Sequence, residues 1–306
     1  MKFHRFAVFL AVFTIGASSA FNSAWAGSHP MKPFVLAWNK TGTVEATVTD
    51  VKNRLQLAGF QIAGSYSPYQ TVTIIVVTND ALKQAAAKSD FGGYGAGQRV
   101  SVTRHKGKVQ VSYTNPSYMA AVYRMKDDLS AIAAQLEKAL GKNSEYGPKA
   151  GLTADQLSGY HYMFGMEYFD EPSTLADHGS YKSALDAVEK GLAAGISGIT
   201  KVYRIDIPGK EETVFGVAMD GGKGGGKMQD DAYLMSEIDF KNIRSTPHLP
   251  YEILVSGGKA YALYARFRIA ISFPDLSMMG ANSFMNIMDS PKAIEKALTL
   301  AAGGKP

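Results

Sequence analysis

The sequence contains no cysteine, and this absence excludes several classes of protein. A disulfide-stapled secreted domain, a lipoprotein anchored through a cysteine and an enzyme with a cysteine nucleophile all require that residue. Long apolar runs are also scarce, because nothing after residue 26 approaches the roughly 20 apolar residues of a membrane-spanning helix. We therefore expect a soluble mature chain with no disulfide framework and no transmembrane segment.

Strong charge of either sign is lacking as well. The formal net charge is +5, and the loss of Lys2 and Arg5 with an N-terminal leader that holds no Asp or Glu leaves +3. No cluster of Lys and Arg is interleaved with aromatic residues, which is the pattern typical of nucleic-acid binding. We therefore expect no nucleic-acid partner.

The N-terminus has the three parts of a secretory signal peptide. Lys2 and Arg5 are basic, residues 6 to 15 are almost entirely apolar, and Ala24-Trp25-Ala26 has the small-x-small pattern that signal peptidase cleaves. Ser18-Ser19-Ala20 is an alternative, earlier cleavage site. Residues 1 to 26 are thus predicted to be a signal peptide cleaved after Ala26, which indicates a periplasmic or secreted protein.

Hydrophobic periodicity predicts the same order of helices and strands twice along the chain. The first series comprises helices at 44–57, 81–88 and 127–140 and strands at 60–66, 72–78, 99–103 and 108–113. The second series comprises helices at 181–194, 231–238 and 290–300 and strands at 201–207, 213–219, 251–255 and 259–273. We therefore divide the mature chain into a first domain at 33–141, a connecting segment at 142–178 and a second, divergent copy at 179–302.

Matching landmarks support this duplication. Gly107-Lys108 precedes the strand Val109 to Tyr113, and Gly258-Lys259 precedes a stretch that contains Ile269 to Phe273. The predicted fold class is α+β, made of two tandem copies of a small domain with an antiparallel sheet and helices, packed together as a pseudo-dimer. Further pairing into a homodimer stays an open alternative.

One part of the first copy carries a resemblance to a known family. The strand Arg99 to Val102 and the run from Gly107 to Tyr118, which includes Ser112-Tyr113-Thr114-Asn115-Pro116, resemble the core signature of the domain-of-unknown-function 302 family. The second copy resembles it more faintly and lacks the Asn-Pro order. The resemblance implies a compact α+β domain that pairs with another copy of itself, and it implies no catalytic residues.

Residues 160–172, here called the aromatic segment, are dense in aromatic residues and methionine where a linker is usually polar. One interpretation is a hydrophobic strap across the interface of the two copies. The other is a ligand site, for which the candidate residues are Tyr160, His161, Tyr162, Met163 and Met166. Because His161, Met163 and Met166 are soft donors, they are also weak candidates for a cuprous copper site.

His248 is a further candidate ligand-binding residue, since it lies between Pro247 and Leu249-Pro250 and close to Glu252. A histidine held on such a loop could act as a ligand or a general base, but the sequence offers no nucleophile motif to accompany it. The alternative is an ordinary turn histidine before a strand. His105, in the turn of residues 103–107, is expected to be solvated.

The run from Gly221 to Met228 satisfies the first part of a phosphate-binding loop, with Lys227 in the position of the conserved lysine. Met228 replaces the hydroxyl residue that binds magnesium, so a solvated insertion between a strand and a helix is the better interpretation. Apart from this run, the sequence contains no cofactor fingerprint, and the cofactor stays unknown.

Three classes of function remain. A noncatalytic envelope protein that binds a small ligand or a metal between its two halves is the first interpretation. A structural or protein-interaction role in the cell envelope is the second. An enzyme of unknown reaction is the third, because no motif supplies a nucleophile or a closed set of metal ligands.

Overall fold

The computed structural model describes residues 29–163 and 165–306. The predicted signal peptide and its cleavage site after Ala26 lie outside the described residues, as does Phe164 of the aromatic segment. The described chain is α+β with two antiparallel sheets, which confirms the predicted fold class. Within this part of the chain, no helix combines the length and the apolar composition needed to cross a membrane.

The first half contains six strands and five helices among the described residues. Its strands are β1 (Phe34–Lys40), β2 (Gln61–Tyr66), β3 (Val72–Thr78), β4 (Gln98–His105), β5 (Lys108–Thr114) and β6 (Ser144–Tyr146). Its helices are α1 (Val44–Leu57), α2 (Asp80–Ala87), α3 (Pro116–Val122), α4 (Ser130–Leu140) and α5 (Ala154–Ser158). The strands form one sheet in the order β2-β3-β4-β5-β1-β6.

The second half contains five strands and four helices within the described range. Its strands are β7 (Ser173–Asp177), β8 (Ile199–Asp206), β9 (Glu212–Met219), β10 (Tyr251–Ser256) and β11 (Lys259–Ala262). Its helices are α6 (Tyr181–Ala193), α7 (Asp231–Ile238), α8 (Ala265–Ser272) and α9 (Ser290–Ala301). The sheet order, read from the edge strand β8, is β8-β9-β10-β11-β7.

Local sequence explains why several of these elements begin where they do. Thr43 precedes α1 and accepts a hydrogen bond from the backbone amide of Ala46 through its side chain. Asn79 caps α2 in the same way, and Asp230 caps α7. Because each capping side chain satisfies an amide that has no partner inside the helix, it fixes the first turn.

The two sheets repeat one topology. If β1 is matched with β7, every strand from β2 to β5 has a counterpart from β8 to β11 at the same place in the sheet order. The strands β2 and β8 each contain a bulge, which lies between Ile62 and Gly64 in the first and between Lys201 and Tyr203 in the second. The second half therefore reproduces the first in element order, sheet order and local irregularity.

The predicted strand at 259–273 is wrong over most of its length. The strand ends at Ala262, and Ala265–Ser272 forms the helix α8. The alternation of Phe267, Arg268, Ile269 and Ala270 imitates a strand, but nearly the whole helix is buried, so it shows no 3.6-residue periodicity. The counterpart of strand β5 is consequently β11, and Ile269 to Phe273 does not match Val109 to Tyr113.

The connecting segment, predicted at 142–178, contributes strands to both sheets. Ser144–Tyr146 pairs with β1 at the edge of the first sheet, and Ser173–Asp177 pairs with β11 at the edge of the second. No strand was predicted at Phe34–Lys40, where β1 pairs with both β5 and β6.

The halves contact each other reciprocally. A 3-10 turn after α2, Gly92–Gly95, lies against β9 and β10, and a 3-10 turn after α7, Thr246–His248, lies against β3 and β4. Gly93 donates its amide to Glu212 Oε1 at 2.8 Å, and Thr246 shares a 2.7 Å hydroxyl hydrogen bond with Thr103. Since β9 and β10 are the counterparts of β3 and β4, each 3-10 turn packs against the same two strands of the other half. Reciprocal contacts of this kind are typical of a two-fold interface.

Candidate functional site

A cleft opens where the β2–β3 and β4–β5 turns of the first half meet α7 of the second half. Its volume is about 690 Å³, which lies within the range of small-molecule sites. We call it the basic cleft, and its lining residues are Tyr69, Thr71, Thr103, Arg104, His105, Lys106, Gly107, Ala232, Met235, Ser236, Asp239 and Arg244. Neither half forms this cleft without the other.

Asp239 provides a buried carboxyl group in the wall of the basic cleft. It follows the C-terminal end of α7, and only 3% of its surface is exposed. Its Oδ1 accepts a 2.9 Å hydrogen bond from the amide of Ser245, whereas its Oδ2 has no partner among the described residues. Burial raises the pKa of Asp239 to about 7, against the lowering effects of Ser245, Arg244 and Lys241. At neutral pH this carboxyl group can therefore donate as well as accept a hydrogen bond.

His105 supplies a second unpartnered group from the end of β4. Its Nδ1 accepts a hydrogen bond from Arg244 Nε at 3.4 Å, and its Nε2 is buried with no partner in the described part of the chain. Burial, followed by the charges of Arg244 and Lys106, lowers the pKa of the imidazole. A neutral ring that accepts at Nδ1 carries its proton on Nε2, so His105 presents an N–H donor. This corrects the expectation that His105 is merely solvated.

Three cationic side chains surround these two groups. Arg104 and Lys106 are exposed at the β4–β5 turn, and Arg244 is half-buried on the opposite wall. None of the three forms a salt bridge with a carboxylate within residues 29–163 and 165–306. Lys106 Nζ donates to the side chain of Asn242 at 2.6 Å, which draws the turn toward the second half. The cleft thus carries positive charge that the described chain does not neutralise.

The reciprocal position in the molecule holds a second cleft of about 500 Å³. It lies where the β8–β9 and β10–β11 turns meet the end of α2, and we call it the acidic cleft. Its lining residues are Asp90, Phe91, Lys210, Glu211, Glu212, Ser256 and Gly257. The buried carboxylate here, Glu212, has its partners in Gly93 N and Ser256 Oγ. The same architectural position therefore carries opposite charge in the two halves.

Between the sheets lies a buried ion cluster that has no access to either cleft. Glu252 accepts hydrogen bonds from Arg268, from Tyr203 OH at 2.8 Å and from Arg99 Nη1 at 3.4 Å. All of these side chains are buried. The cluster joins the two halves and is a structural feature rather than a ligand site.

The structure places His248 beside this ion cluster, inside the core. The ring is 1% exposed, with Nδ1 at 2.9 Å from Ser272 Oγ and Nε2 at 3.3 Å from Tyr251 OH. Burial lowers the pKa of His248 well below its usual range, and the charges of Arg268 and Arg99 add to this effect. His248 is a neutral turn histidine before β10 and does not line the basic cleft.

Two candidate residues of the aromatic segment, Tyr160 and Tyr162, contact α8, and no candidate residue of the segment lines either cleft. Tyr160 OH donates to the carbonyl of Ala270 at 3.3 Å, and Tyr162 OH contacts Met278 Sδ at 2.7 Å. The space between Tyr162 and α8 is only about 10 Å³, too small for a ligand. The structure therefore brings Tyr160 and Tyr162 to the second half without enclosing a cavity.

His161, Met163 and Met166 share one turn of the aromatic segment. His161 Nδ1 lies 2.9 Å from the carbonyl of Met163, and the Met166 amide donates to the same carbonyl at 3.0 Å. The His161 ring packs against the Tyr168 ring at an interplanar angle of 46°, with 4.6 Å between the ring centroids. In the described part of the chain, no group of three His, Cys, Asp or Glu side chains is arranged to hold a metal.

The first two amides of the glycine run before α7 are occupied by side chains of the chain itself. Gly221 donates to Asp230 Oδ2 at 2.8 Å and Gly222 donates to Asp220 Oδ1 at 2.9 Å. The Lys227 ammonium lies over the ring of Tyr233, 4.2 Å from its centroid. Two carboxylates thus stand where a phosphate would need free amides and positive charge.

Comparison with known proteins gives little beyond this geometry. No family model and no curated protein matches the chain. Among solved structures, the chain is similar to the crystal structure of the uncharacterized conserved protein DUF302 from Bacillus stearothermophilus, with 14% sequence identity and a TM-score of 0.32. The match covers 35% of this chain and 94% of that chain.

Proposed function

We propose that the protein is a noncatalytic binding protein of the cell envelope that holds a small ligand in the basic cleft between its two halves. The observation that carries this proposal is a pair of buried polar atoms in the wall of one inter-half cleft, Asp239 Oδ2 and His105 Nε2, which have no hydrogen-bond partner among the described residues. Buried polar groups are nearly always satisfied, so two such atoms in one cleft wall favour a ligand that supplies the missing hydrogen bonds.

The proposal includes the compartment and the ancestry of the two halves. Export through a cleaved signal peptide would place the protein in the periplasm or outside the cell, and the absence of cysteine suits that location. We propose that each half is a domain of the unknown-function 302 type and that the halves form a pseudo-dimer. Support comes from the β4–β5 hairpin, from the Asn115-Pro116 step into α3 and from the reciprocal contacts.

A cleft-filling variant tests the proposal. Ser236 is an exposed residue of α7 in the cleft wall, and Ser236→Trp should fill the cleft without disturbing a buried side chain. A small-molecule library should raise the melting temperature of the wild-type protein, and the active compounds should lose their effect on Ser236→Trp. Asn53→Trp, on the exposed face of α1, is the matched control and should respond like the wild type. Compounds that stabilise all three proteins equally would place binding elsewhere.

A second candidate function is a protein-interaction role, favoured by exposed methionines near the end of the chain. The loop before α9 contains four methionines that are between 40% and 72% exposed: Met278, Met279, Met285 and Met288. Flexible, polarisable methionine side chains suit an adaptable contact surface. An interaction protein would capture a partner through this loop and would show no ligand-dependent change in melting temperature.

The copper hypothesis is tested separately. Cuprous ion added under reducing conditions should change the melting temperature if His161, Met163 and Met166 hold it. The variant His161→Ala should then abolish that change, whereas His29→Ala should not. An unchanged melting temperature in the wild type would remove this hypothesis.

A further inference from the structure

The cationic and imidazole side chains of the basic cleft are hydrogen-bond donors. Arg104, Lys106 and Arg244 contribute cationic donors, and His105 contributes its Nε2–H. The carboxyl group of Asp239 would normally repel an anion, but its burial beside α7 favours the protonated form, which also donates. Donors that converge from both halves match a ligand whose polar end consists of acceptors.

The remaining walls are apolar or aromatic. Met235 is buried under the cleft, and the ring of Tyr69 is half-buried at its edge. Ala232 continues this surface along α7. A bare inorganic ion would leave these walls without contacts, whereas a ligand with an apolar body would cover them.

The acidic cleft shows that the fold itself does not impose positive charge at this position. There, Glu211 and Asp90 stand beside Lys210, and the buried Glu212 already has its partners. Two positions that are equivalent in the architecture thus differ in charge and in hydrogen-bond satisfaction. The cationic, unsatisfied lining belongs specifically to the basic cleft and is not a general consequence of joining the two halves.

We propose that the ligand of the basic cleft is a small organic anion, whose charged oxygen atoms bind at Arg244 and His105 and whose apolar body lies against Tyr69 and Met235. This inference rests on the proposed function. It names the chemical class of ligand that the same cleft would take. Asp239 would form a hydrogen bond from its protonated carboxyl group to the bound anion, and Arg104 and Lys106 would attract the anion from solvent.

Four probes of similar shape distinguish ligand charge: benzoate, phenyl phosphate, benzylamine and benzyl alcohol. Isothermal titration of the chain at low ionic strength should give the tightest binding for benzoate or phenyl phosphate, with Kd at least about tenfold lower than for benzylamine. The variant Arg244→Met should weaken anion binding by at least about tenfold. Lys210→Met, which removes a cation from the acidic cleft, is the matched control and should leave anion binding unchanged.

Arg244→Met also removes the contact between Arg244 and His105. A second variant, at an exposed position, therefore separates the loss of a cation from a loss of folding. Arg104→Met should weaken anion binding by a smaller factor, about threefold, without lowering the melting temperature. Tighter binding of benzylamine or benzyl alcohol than of both anions would overturn the inference and leave the proposed function intact. Anion binding that survives both Arg244→Met and Arg104→Met would also overturn the inference. Failure of all four probes to bind, together with no active compound from the library, would overturn the proposed function.

Discussion

The guanidinium of Arg99 and the carboxylate of Glu252, which meet at 3.4 Å across the interface, occupy equivalent positions in the two halves. Arg99 lies opposite Val76 in the first sheet, and Glu252 lies opposite Gly216 in the second. Val76 and Gly216 each pair with the first residue after the bulge of their neighbouring edge strand. Equivalent positions of the two sheets thus carry complementary charges, so the two halves differ at this point of their interface.

Removal of Glu252 should destabilise the whole molecule. Glu252→Ala would leave Arg99 and Arg268 buried without their shared carboxylate, which should lower the free energy of unfolding by about 3–5 kcal/mol. Urea denaturation followed by circular dichroism measures this loss. The control is Asp186→Ala, which breaks an exposed pair with Lys182 and should cost less than about 1 kcal/mol. Equal, small losses in both variants would contradict a stabilising ion cluster at the interface.

Gly64 permits the close approach of the two edge strands. A Cβ at this position would overlap the carbonyl oxygen of Val202 and lie 2.9 Å from Tyr203 Cβ. Gly64→Ala should therefore push β2 away from β8 and cost about 1–3 kcal/mol of unfolding free energy. Gly226→Ala is the matched control, because an added Cβ there meets nothing within 4 Å. A Gly64→Ala protein as stable as the control would show that β2 and β8 do not make this contact.

Ionisation of Asp239 should make stability depend on pH. The ordinary pKa of 3.8 is raised to about 7 by burial, so the folded protein retains a proton that the unfolded chain releases between these values. Asp239 should consequently contribute a fall in stability of about 4 kcal/mol as pH rises from 4 to 8. Asp239→Asn should remove this contribution and leave that of Asp231, whose pKa burial also raises to about 7.

The relevant measurement is the difference in melting temperature between Asp239→Asn and the wild type at each pH. This difference should favour the variant increasingly from pH 5 to pH 8. Asp186→Asn, on the exposed face of α6, controls for the loss of one negative charge. A difference that stays constant across this range would mean that Asp239 is not held in its protonated form.

Phe169 should anchor the aromatic segment to the first half. It is 3% exposed, and its ring lies 5.4 Å from that of Tyr123 and 6.2 Å from that of Tyr94, measured between centroids. Phe169→Ala should cost about 3–5 kcal/mol, whereas Phe240→Ala, at a site with 47% of its surface exposed, should cost under about 0.5 kcal/mol. Thermal unfolding of the two variants provides the comparison, and similar midpoints would contradict the anchoring role.

Much of the fold could be predicted because its signals are local. The apolar run of Val72–Thr78 and the cap at Asn79 determine β3 and the start of α2 within a few residues. The helix α8 could not be predicted in this way, since burial on all sides erased its helical periodicity. Its buried Arg268 is paired with Glu252 of β10 and donates to the carbonyls of His248 and Pro250, all of which lie far from it in sequence.

The candidate site could hardly be predicted from sequence, because it exists only after the two halves dock. Tyr69, His105 and Asp239 come from three separate parts of the chain, and no spacing connects them. His105 looks like an ordinary turn residue, and Asp239 looks like a polar residue after a helix. Of the residues that did stand out in the sequence, His248 is buried in the core, whereas the described part of the aromatic segment is mostly half-buried, with Phe169 buried and Met163 exposed.

The ring of His105 offers the most direct test that the basic cleft binds an organic anion. The chain contains six histidines, so a long-range proton–nitrogen NMR spectrum of protein labelled at histidine is simple, and His105→Gln assigns the resonance. Addition of benzoate should shift the Nε2–H signal of His105 and leave the buried His248 unchanged. Saturable binding of benzoate without any change at His105 would contradict this account.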